Sequence, residues 1–276
     1  MVHNNVGSLE GRVALVTGAG SGMGLATVKA FVEQGAYVYA LDISQENLER
    51  ELGSEDQVTV IAADISDSKA VNAAFDQVRE NHGKLHALVN AAGVSVPNRR
   101  AVEWVDDINH RMVTAMKKGE PFAPEFLTEI PDEDFDRVMQ INLYGTFYTT
   151  RAAVPLLKAA GGGAITNFAS VAGLVALLMP AYYPASKAAV VGMTRSNAGE
   201  LAPFNIRVNA LAPAGINTAM MNQSGEDHVQ ALLSLQPLKR LAEPEEVAQT
   251  LVFLSSDAGA HYTGQVFSPS VVAYLT

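Results

Sequence analysis

Tyr183 and Lys187 fall in the run Tyr182-Tyr183-Pro184-Ala185-Ser186-Lys187, at positions i and i+4, so a helix places them on one face. A phenol with an ordinary pKa of about 10 is a poor base at neutral pH. An ammonium beside it favours the phenolate and brings that value toward a range useful for proton transfer. Tyr182 is the competing phenol, but its extra residue of separation turns it off the face of Lys187. Pro184 is compatible with a helix only if Tyr183 lies in or beside the first turn. Such a pair standing alone is more often surface than catalysis, so its company decides. Ser170 follows the strand-like run 164–168, where its hydroxyl can hydrogen-bond a substrate oxygen; the plainer reading is a strand-end cap. Asn142 lies inside a helical pattern whose propensity it lowers, which fits either a local function or a benign polar position.

A second group of residues points to a nucleotide. The turn Thr17-Gly18-Ala19-Gly20-Ser21-Gly22-Met23-Gly24 separates the apolar run 13–16 from a helical pattern over 25–34. Glycines let a backbone approach a pyrophosphate closely, and the helix that follows offers free N–H groups and the positive end of its dipole. A glycine-rich turn can be only a turn, but this one stands between strand and helix, where a dinucleotide fingerprint belongs. Asp42 closes the second strand-like run, 37–41. A carboxylate there accepts hydrogen bonds from ribose hydroxyls and repels a 2′-phosphate. No Lys or Arg lies in the glycine turn or directly after Asp42, so the reading favours NAD over NADP; the plainer alternative is that Asp42 merely starts a helix.

The elements that must position these residues alternate along the chain. Strand-like runs at 58–62, 88–90, 207–211 and 265–267 join those above, separated by helical patterns at 44–52, 66–81, 132–160, 183–201 and 244–255. Repeated βαβ units with apolar strands predict an α/β fold of one domain, a doubly wound parallel sheet of Rossmann type with about seven strands. One connection is far longer than the ordinary loop of about 2–6 residues. It spans 94–130 and carries its own helical stretch at about 101–118, then Gly119-Glu120-Pro121. Val105, Ile108, Met112 and Met116 form an apolar stripe on that stretch, with Trp104, Phe122 and Phe126 near its ends. It leaves the carboxyl edge of a strand, where ligands bind, and the reading makes it a helical insertion that encloses substrate or packs on a neighbouring subunit.

Composition narrows the partners. The 276 residues are 48% hydrophobic and 17% charged, enough for a sizeable core. Nineteen Lys and Arg against 29 Asp and Glu leave a net charge of −10, which argues against nucleic acid. There is no cysteine, which excludes thiolate chemistry and fits a reducing cytoplasm, and the six His lack the spacing of a metal site. The first eleven residues do not read as a signal peptide, and no apolar run is long enough for a bilayer.

The Thr-Gly-x-x-x-Gly-x-Gly turn, Asn90-Ala91-Ala92-Gly93, Asn142, Ser170 and Tyr183-x-x-x-Lys187 occur in the order of the short-chain dehydrogenase/reductase family, and the chain resembles that family from about residue 9 to 266. The resemblance implies roles. Gly18, Ser21, Gly22, Met23 and Gly24 line the pyrophosphate; Asp64 and Ile65 flank the adenine; Asn90 meets the adenosine-side ribose and stabilises its strand. Lys187 also holds the nicotinamide ribose, while Ile216 and Thr218 meet the carboxamide. Asn142 anchors a water in a proton relay through Lys187. Ser170 orients the substrate oxygen and Tyr183 exchanges its proton as hydride passes to or from NAD. The resemblance also implies a homo-oligomer, tetramer or dimer, acting on a small-molecule alcohol or ketone. Leu174, Leu177, Leu178, Met179, Met220 and Met221 suggest an apolar pocket, or are partly core. An NADPH-linked acyl-chain reductase and a non-catalytic NAD-binding protein are the competing functions. Two segments depart from the family pattern: Pro213-Ala214-Gly215 replaces Pro-Gly, and Ser268-Pro269-Ser270 replaces Asp-Gly-Gly.

Overall fold

The computed structural model describes residues 7–222, Val229, Leu233 and 236–269. Its strands are β1 (Val13–Thr17), β2 (Tyr37–Asp42), β3 (Val58–Ala62), β4 (Ala87–Asn90), β5 (Gly163–Phe168), β6 (Ile206–Leu211) and β7 (Val266–Phe267). They form one seven-stranded sheet in the order β3-β2-β1-β4-β5-β6-β7, with every neighbouring pair parallel. Central strands such as β1 are buried along their whole length. A continuous apolar run, not an alternating one, is what a sheet covered on both faces demands.

Helices α1 (Gly22–Glu33), α2 (Gln45–Leu52) and α3 (Ser68–His82) follow β1, β2 and β3. Further along lie α4 (Arg99–Lys118), α5 (Phe126–Glu129), α6 (Asp132–Met139), α7 (Thr146–Ala159), α8 (Tyr182–Leu201), α9 (Ala219–Asn222) and α10 (Pro244–Ser255). Side chains of α1, α2 and α10 build the core on one face around Phe31, Leu48 and Leu251. Those of α3 and α7, with the end of α8, build it on the other around Phe75, Leu157 and Leu201.

The chain runs outward from β1 to β3, then returns to place β4 on the other flank of β1. That reversal opens a crevice at the carboxyl ends of β1 and β4, where Thr17 stands opposite Asn90. The crevice is tight. A Cβ on Gly18 would lie 2.8 Å from the backbone of Ala92.

The long helical pattern at 132–160 proves to be two α-helices joined by a π-helical segment, Gln140–Gly145. The wider turn falls on Asn142, whose side chain leaves the helix to bond elsewhere. The freed carbonyls of Asn142 and Gly145 are taken up by the hydroxyls of Thr146 and Thr149. Local widening of this kind marks functional positions in helices.

In the 94–130 insertion, Asn98 caps α4 by accepting from the Ala101 N–H, and Gly119 ends it at φ 69°. Ala101, Ile108 and Ala115 are its buried residues, with Val105 and Met112 half-buried. Met116, expected in the apolar stripe, is 71% exposed, because the buried face turns through Ala115 instead. Trp104 packs edge-on to Phe126, ring centres 5.4 Å apart.

Helix α1 starts within the glycine turn, earlier than its apolar periodicity indicates. Gly24 therefore sits in the first helical turn, where a Cβ would collide with the Gly18 carbonyl oxygen. Gly24→Ala should lower unfolding free energy by about 1–3 kcal/mol, the usual cost of overpacking. A urea midpoint equal to that of the unaltered protein would show that the turn has room to spare.

Candidate active site

The glycine turn forms a cradle shaped for a phosphate. Gly18 and Gly22 hold φ of +68° and +52°, values that side chains other than glycine rarely adopt. Ser21 stands at the N-cap of α1 in extended backbone and makes no side-chain cap bond, so its side chain does not occupy the first N–H groups of α1. No acidic residue occupies that first turn, where it would repel an anion. Ser21, Gly22, Met23 and Gly24 all lie at this end. Thr218 reaches it from the far side, its methyl 3.4 Å from where a Gly22 Cβ would be.

Asp42 is fixed by two backbone donors. Its Oδ2 accepts from Gly20 N–H at 2.9 Å and its Oδ1 from Ser44 N–H at 3.0 Å. One carboxylate thus ties the end of β2 to the glycine turn, with lone pairs remaining for a ribose. Asp64 accepts from the amide and hydroxyl of Ser66. Burial pushes its carboxyl up, but the Ser66 bonds and Arg137 outweigh that and hold it below its ordinary value. Ile65 is buried against the backbone of Gly145, where any Cβ would overlap it. The cradle, the α1 N-terminus and the Asp42 carboxylate fit a dinucleotide. Its nicotinamide, when bound, supplies the hydride acceptor or donor, and its oxidised form brings a positive charge that favours a phenolate nearby.

Three chemical groups meet beyond the end of β5. Ser170 is buried, and its Oγ accepts from Ala172 N–H at 3.2 Å. Its hydroxyl also faces the Tyr183 phenol and favours its ionised form. Tyr183 lies in the first turn of α8, which places Pro184 where its missing N–H costs nothing. Lys187 is 5% exposed; its Nζ donates to the Phe168 carbonyl at 2.8 Å and stands 5.8 Å from the Tyr183 ring centre. Tyr182 is wholly enclosed, and its hydroxyl has no hydrogen-bond partner. Burial, then the charge of Asp134, pushes Tyr182 up to about 12, which disqualifies it as a base.

The electrostatics correct one expectation. In the protein by itself, burial raises the Tyr183 phenol above its ordinary value against the pull of Ser170. Lys187 does not lower it, because burial pushes Lys187 itself down to about 8 and its hydrogen bond goes to a carbonyl. The phenol therefore holds its proton more firmly than an ordinary tyrosine. Two further expected site residues are held by side-chain bonds. The Asn142 side chain accepts from Val94 N–H and donates to Val94 C=O and Ser186 Oγ, at 2.9, 2.9 and 3.0 Å. It is spent, leaving only a backbone carbonyl shared with Thr146 to hold a water. The Asn90 amide is likewise enclosed, bonded to Thr149, Thr150 and Asn167. Its side chain braces β4 against α7 and β5.

Two contributors escaped the sequence. Ser186 accepts from Asn142 and donates to the Tyr183 carbonyl at 2.8 Å, joining the π segment to the catalytic turn. Its place beside Lys187 was the only signal. Gly173 lets the segment after Ser170 lie on α8, since a Cβ there would come 2.7 Å from the backbone of Lys187 and Ala188. The unusual Pro213-Ala214-Gly215 keeps this region in order: Pro213 O accepts from Val171 N–H, and Gly215 O from Ala242 N–H. Ile216 is buried and bridges Ala242. Leu178 is 60% exposed, so it is no pocket wall in this state. The side chain of Met220, like Ser270, lies outside the described residues.

A parallel doubly wound sheet, a glycine cradle at its switch point and a Ser/Tyr/Lys cluster together define a nucleotide-dependent oxidoreductase. The description short chain dehydrogenase matches residues 12–229, and the chain belongs to that family. It is 37% identical to the 3-oxoacyl-(acyl-carrier-protein) reductase of Thermotoga maritima over 94% of this chain and 96% of that one. It is 33% identical to a 3alpha-hydroxysteroid dehydrogenase of Mediterraneibacter gnavus, covering 94% and 96%. The crystal structure of a 3-ketoacyl-(acyl-carrier-protein) reductase from Brucella melitensis, complexed with NADH, superposes at a TM-score of 0.79 with 31% identity over 95% of this chain and 98% of that one. Among the described residues no helix is long and apolar enough to cross a membrane, and no group of His, Asp and Glu could hold a metal ion.

Lys187 titrates near 8 in the fold and near 10.5, its ordinary value, in the unfolded chain. Between those values the unfolded chain binds more protons, so stability without added cofactor should rise with pH from about 8 to about 10.5. In Lys187→Met that rise should vanish. Denaturant melts across this window check it, and parallel curves for the two proteins would contradict a desolvated Lys187 whose folded value is lowered.

Proposed function

We propose that this protein is an NAD-dependent dehydrogenase of secondary alcohols, reversibly reducing the corresponding ketones, with a preference for bulky apolar substrates. The observation that carries the reading is the convergence of Ser170, Tyr183 and Lys187 beside a cradle whose far end is the Asp42 carboxylate. In this reading Ser170 holds the substrate oxygen and Tyr183 passes its proton. Lys187 supplies the cation behind it and holds the nicotinamide ribose, while Ile216 and Thr218 meet the carboxamide. Asn90 and Asn142 set the backbone on which these groups stand. The enzyme's work is positioning and polarisation; the cofactor does the redox chemistry. The hydroxysteroid dehydrogenase among its relatives supports a bulky alcohol.

A second reading has a specific observation in its favour. The relative at 37% identity is a carrier-protein reductase, so acyl-chain reduction with NADPH is the natural competitor. Against it stands Asp42, which would face a 2′-phosphate with like charge, and the net charge of −10, which disfavours an acidic carrier. A non-catalytic NAD sensor has no use for a buried proton-transfer pair.

A screen of secondary alcohols followed by NADH absorbance tests the activity. Tyr183→Phe should lower turnover by about 10²–10⁴-fold while NAD affinity stays within a few-fold, since only the proton donor is lost. Retention of activity in Tyr183→Phe would refute its role. Asp42→Asn keeps an oxygen for the Gly20 N–H but removes the charge, so it should narrow the preference for NAD over NADP. Weakening of NAD by about 1.5–3 kcal/mol is expected for a lost charged bond to ribose. An unaltered enzyme that prefers NADPH sinks this reading of Asp42.

A further inference from the structure

The 94–130 insertion begins and ends at the catalytic helix. Its first end is Gly93-Val94. A Cβ on Gly93 would lie 3.3 Å from Lys187 Nζ, and Val94 is clamped by Asn142 on both its N–H and its C=O. Its other end runs through Pro131 into α6, which packs on α8. There Asp134 sits close enough to Tyr182, the neighbour of Tyr183, for its charge to act on that phenol.

Asp134 also ties the two ends together. Its side chain is 5% exposed. It accepts from Asn98 Nδ2 at 2.7 Å and from the Arg100 guanidinium at 2.9 Å. Asn98 uses its other amide atom to cap α4. A buried carboxylate left without these partners is strongly disfavoured, so the start of α4 is held onto α6. The rest of the insertion closes on itself, through Trp104 Nε1 donating to Glu129 and the Trp104–Phe126 ring contact. It is a closed excursion held at its root by Asn142 and tied across its two ends by the Asp134 latch, and it leaves the strand edge where ligands bind.

Resting on the dehydrogenase reading above, we propose that Asp134 is a positioning residue for substrate selection. Through Asn98 and Arg100 it fixes where the 94–130 excursion stands beside Tyr183, and so decides which alcohols fit without taking part in proton or hydride transfer. Neither Asp134 nor Arg100 belongs to the catalytic cluster, and no chemistry is assigned to the latch itself.

Arg100 is 64% exposed at its side chain, so Arg100→Ala opens the latch with least risk to folding. Kinetics are measured with a short secondary alcohol and a polycyclic one. In Arg100→Ala the ratio of their KM values should change by about ten-fold, the effect of roughly 1.4 kcal/mol, while kcat for the short alcohol and NAD affinity hold. Arg100→Lys should restore most of the ratio. Trp104 is the single tryptophan of the chain and lies in α4, so its emission reports the excursion directly. Easier acrylamide quenching of Trp104 in Arg100→Ala, with an unchanged circular dichroism spectrum, is the expected sign of an opened latch. An unchanged KM ratio, or equal loss of kcat on both alcohols, overturns the assignment. So does Trp104 quenching identical to the unaltered protein. If the unaltered protein oxidises no alcohol, the dehydrogenase reading and the substrate role fall together, while Trp104 still decides whether the latch exists.

Discussion

The amide of Asn142 sets the distance between the sheet edge after β4, the long helix and α8, because its three hydrogen bonds reach all of them at once. Val94 supplies a donor and an acceptor, as a neighbouring strand would, and Ser186 carries the link on to the carbonyl of Tyr183. A buried amide with all its partners is rigid, and one with a partner missing is costly. The geometry requires the side chain to leave its helix sideways. The π segment at 140–145 makes that possible, and Thr146 and Thr149 satisfy carbonyls the wider turn releases.

A second buried network braces the same region from beneath. Asn90 bonds Thr149, Thr150 and Asn167, and Asn167 in turn accepts Asn90 and donates to Thr194. These side chains cross from β4 to α7 and from β5 to α8. The strands and helices that carry the reacting groups are therefore joined by directional bonds in addition to apolar packing. Apolar contact alone tolerates small slides, whereas bonds of this kind fix register.

Burial works against the catalytic pair while the site holds only protein. It raises Tyr183 and lowers Lys187, so both groups lean toward their neutral forms. The same desolvation strengthens any charge interaction brought into the site. The Asp134 pairing differs: a buried carboxylate meets the exposed Arg100 and Asn98, tying the start of α4 to α6.

Much of this was legible in the residues. The strands are short apolar runs whose burial on both faces follows from composition, and the order of βαβ units leaves few arrangements beyond a doubly wound sheet. The glycine turn and Asp42 stood out by type and place between strand and helix, whereas Ser170 and the Tyr183/Lys187 pair stood out only in company, through the resemblance to the family. Tyr183 over Tyr182 followed from helix periodicity alone. What the chain by itself left open depends on contacts between residues far apart in sequence. Asn142 read as either a functional or a benign polar position in its helix, and its partners Val94 and Ser186 appear only in the fold. The bonds by which Asn90 braces β4, to Thr149, Thr150 and Asn167, likewise join residues far apart in the chain. Gly173 carried no local signal and Ser186 only its place beside Lys187, since their importance lies in how closely other segments approach. The direction of the Tyr183 shift was misjudged for the same reason: spacing places an ammonium nearby, but only the folded surroundings determine how much water is removed from both charges. Periodicity and residue type govern local structure through short-range sterics and hydrogen bonds; desolvation and long-range pairing exist only once the chain has folded.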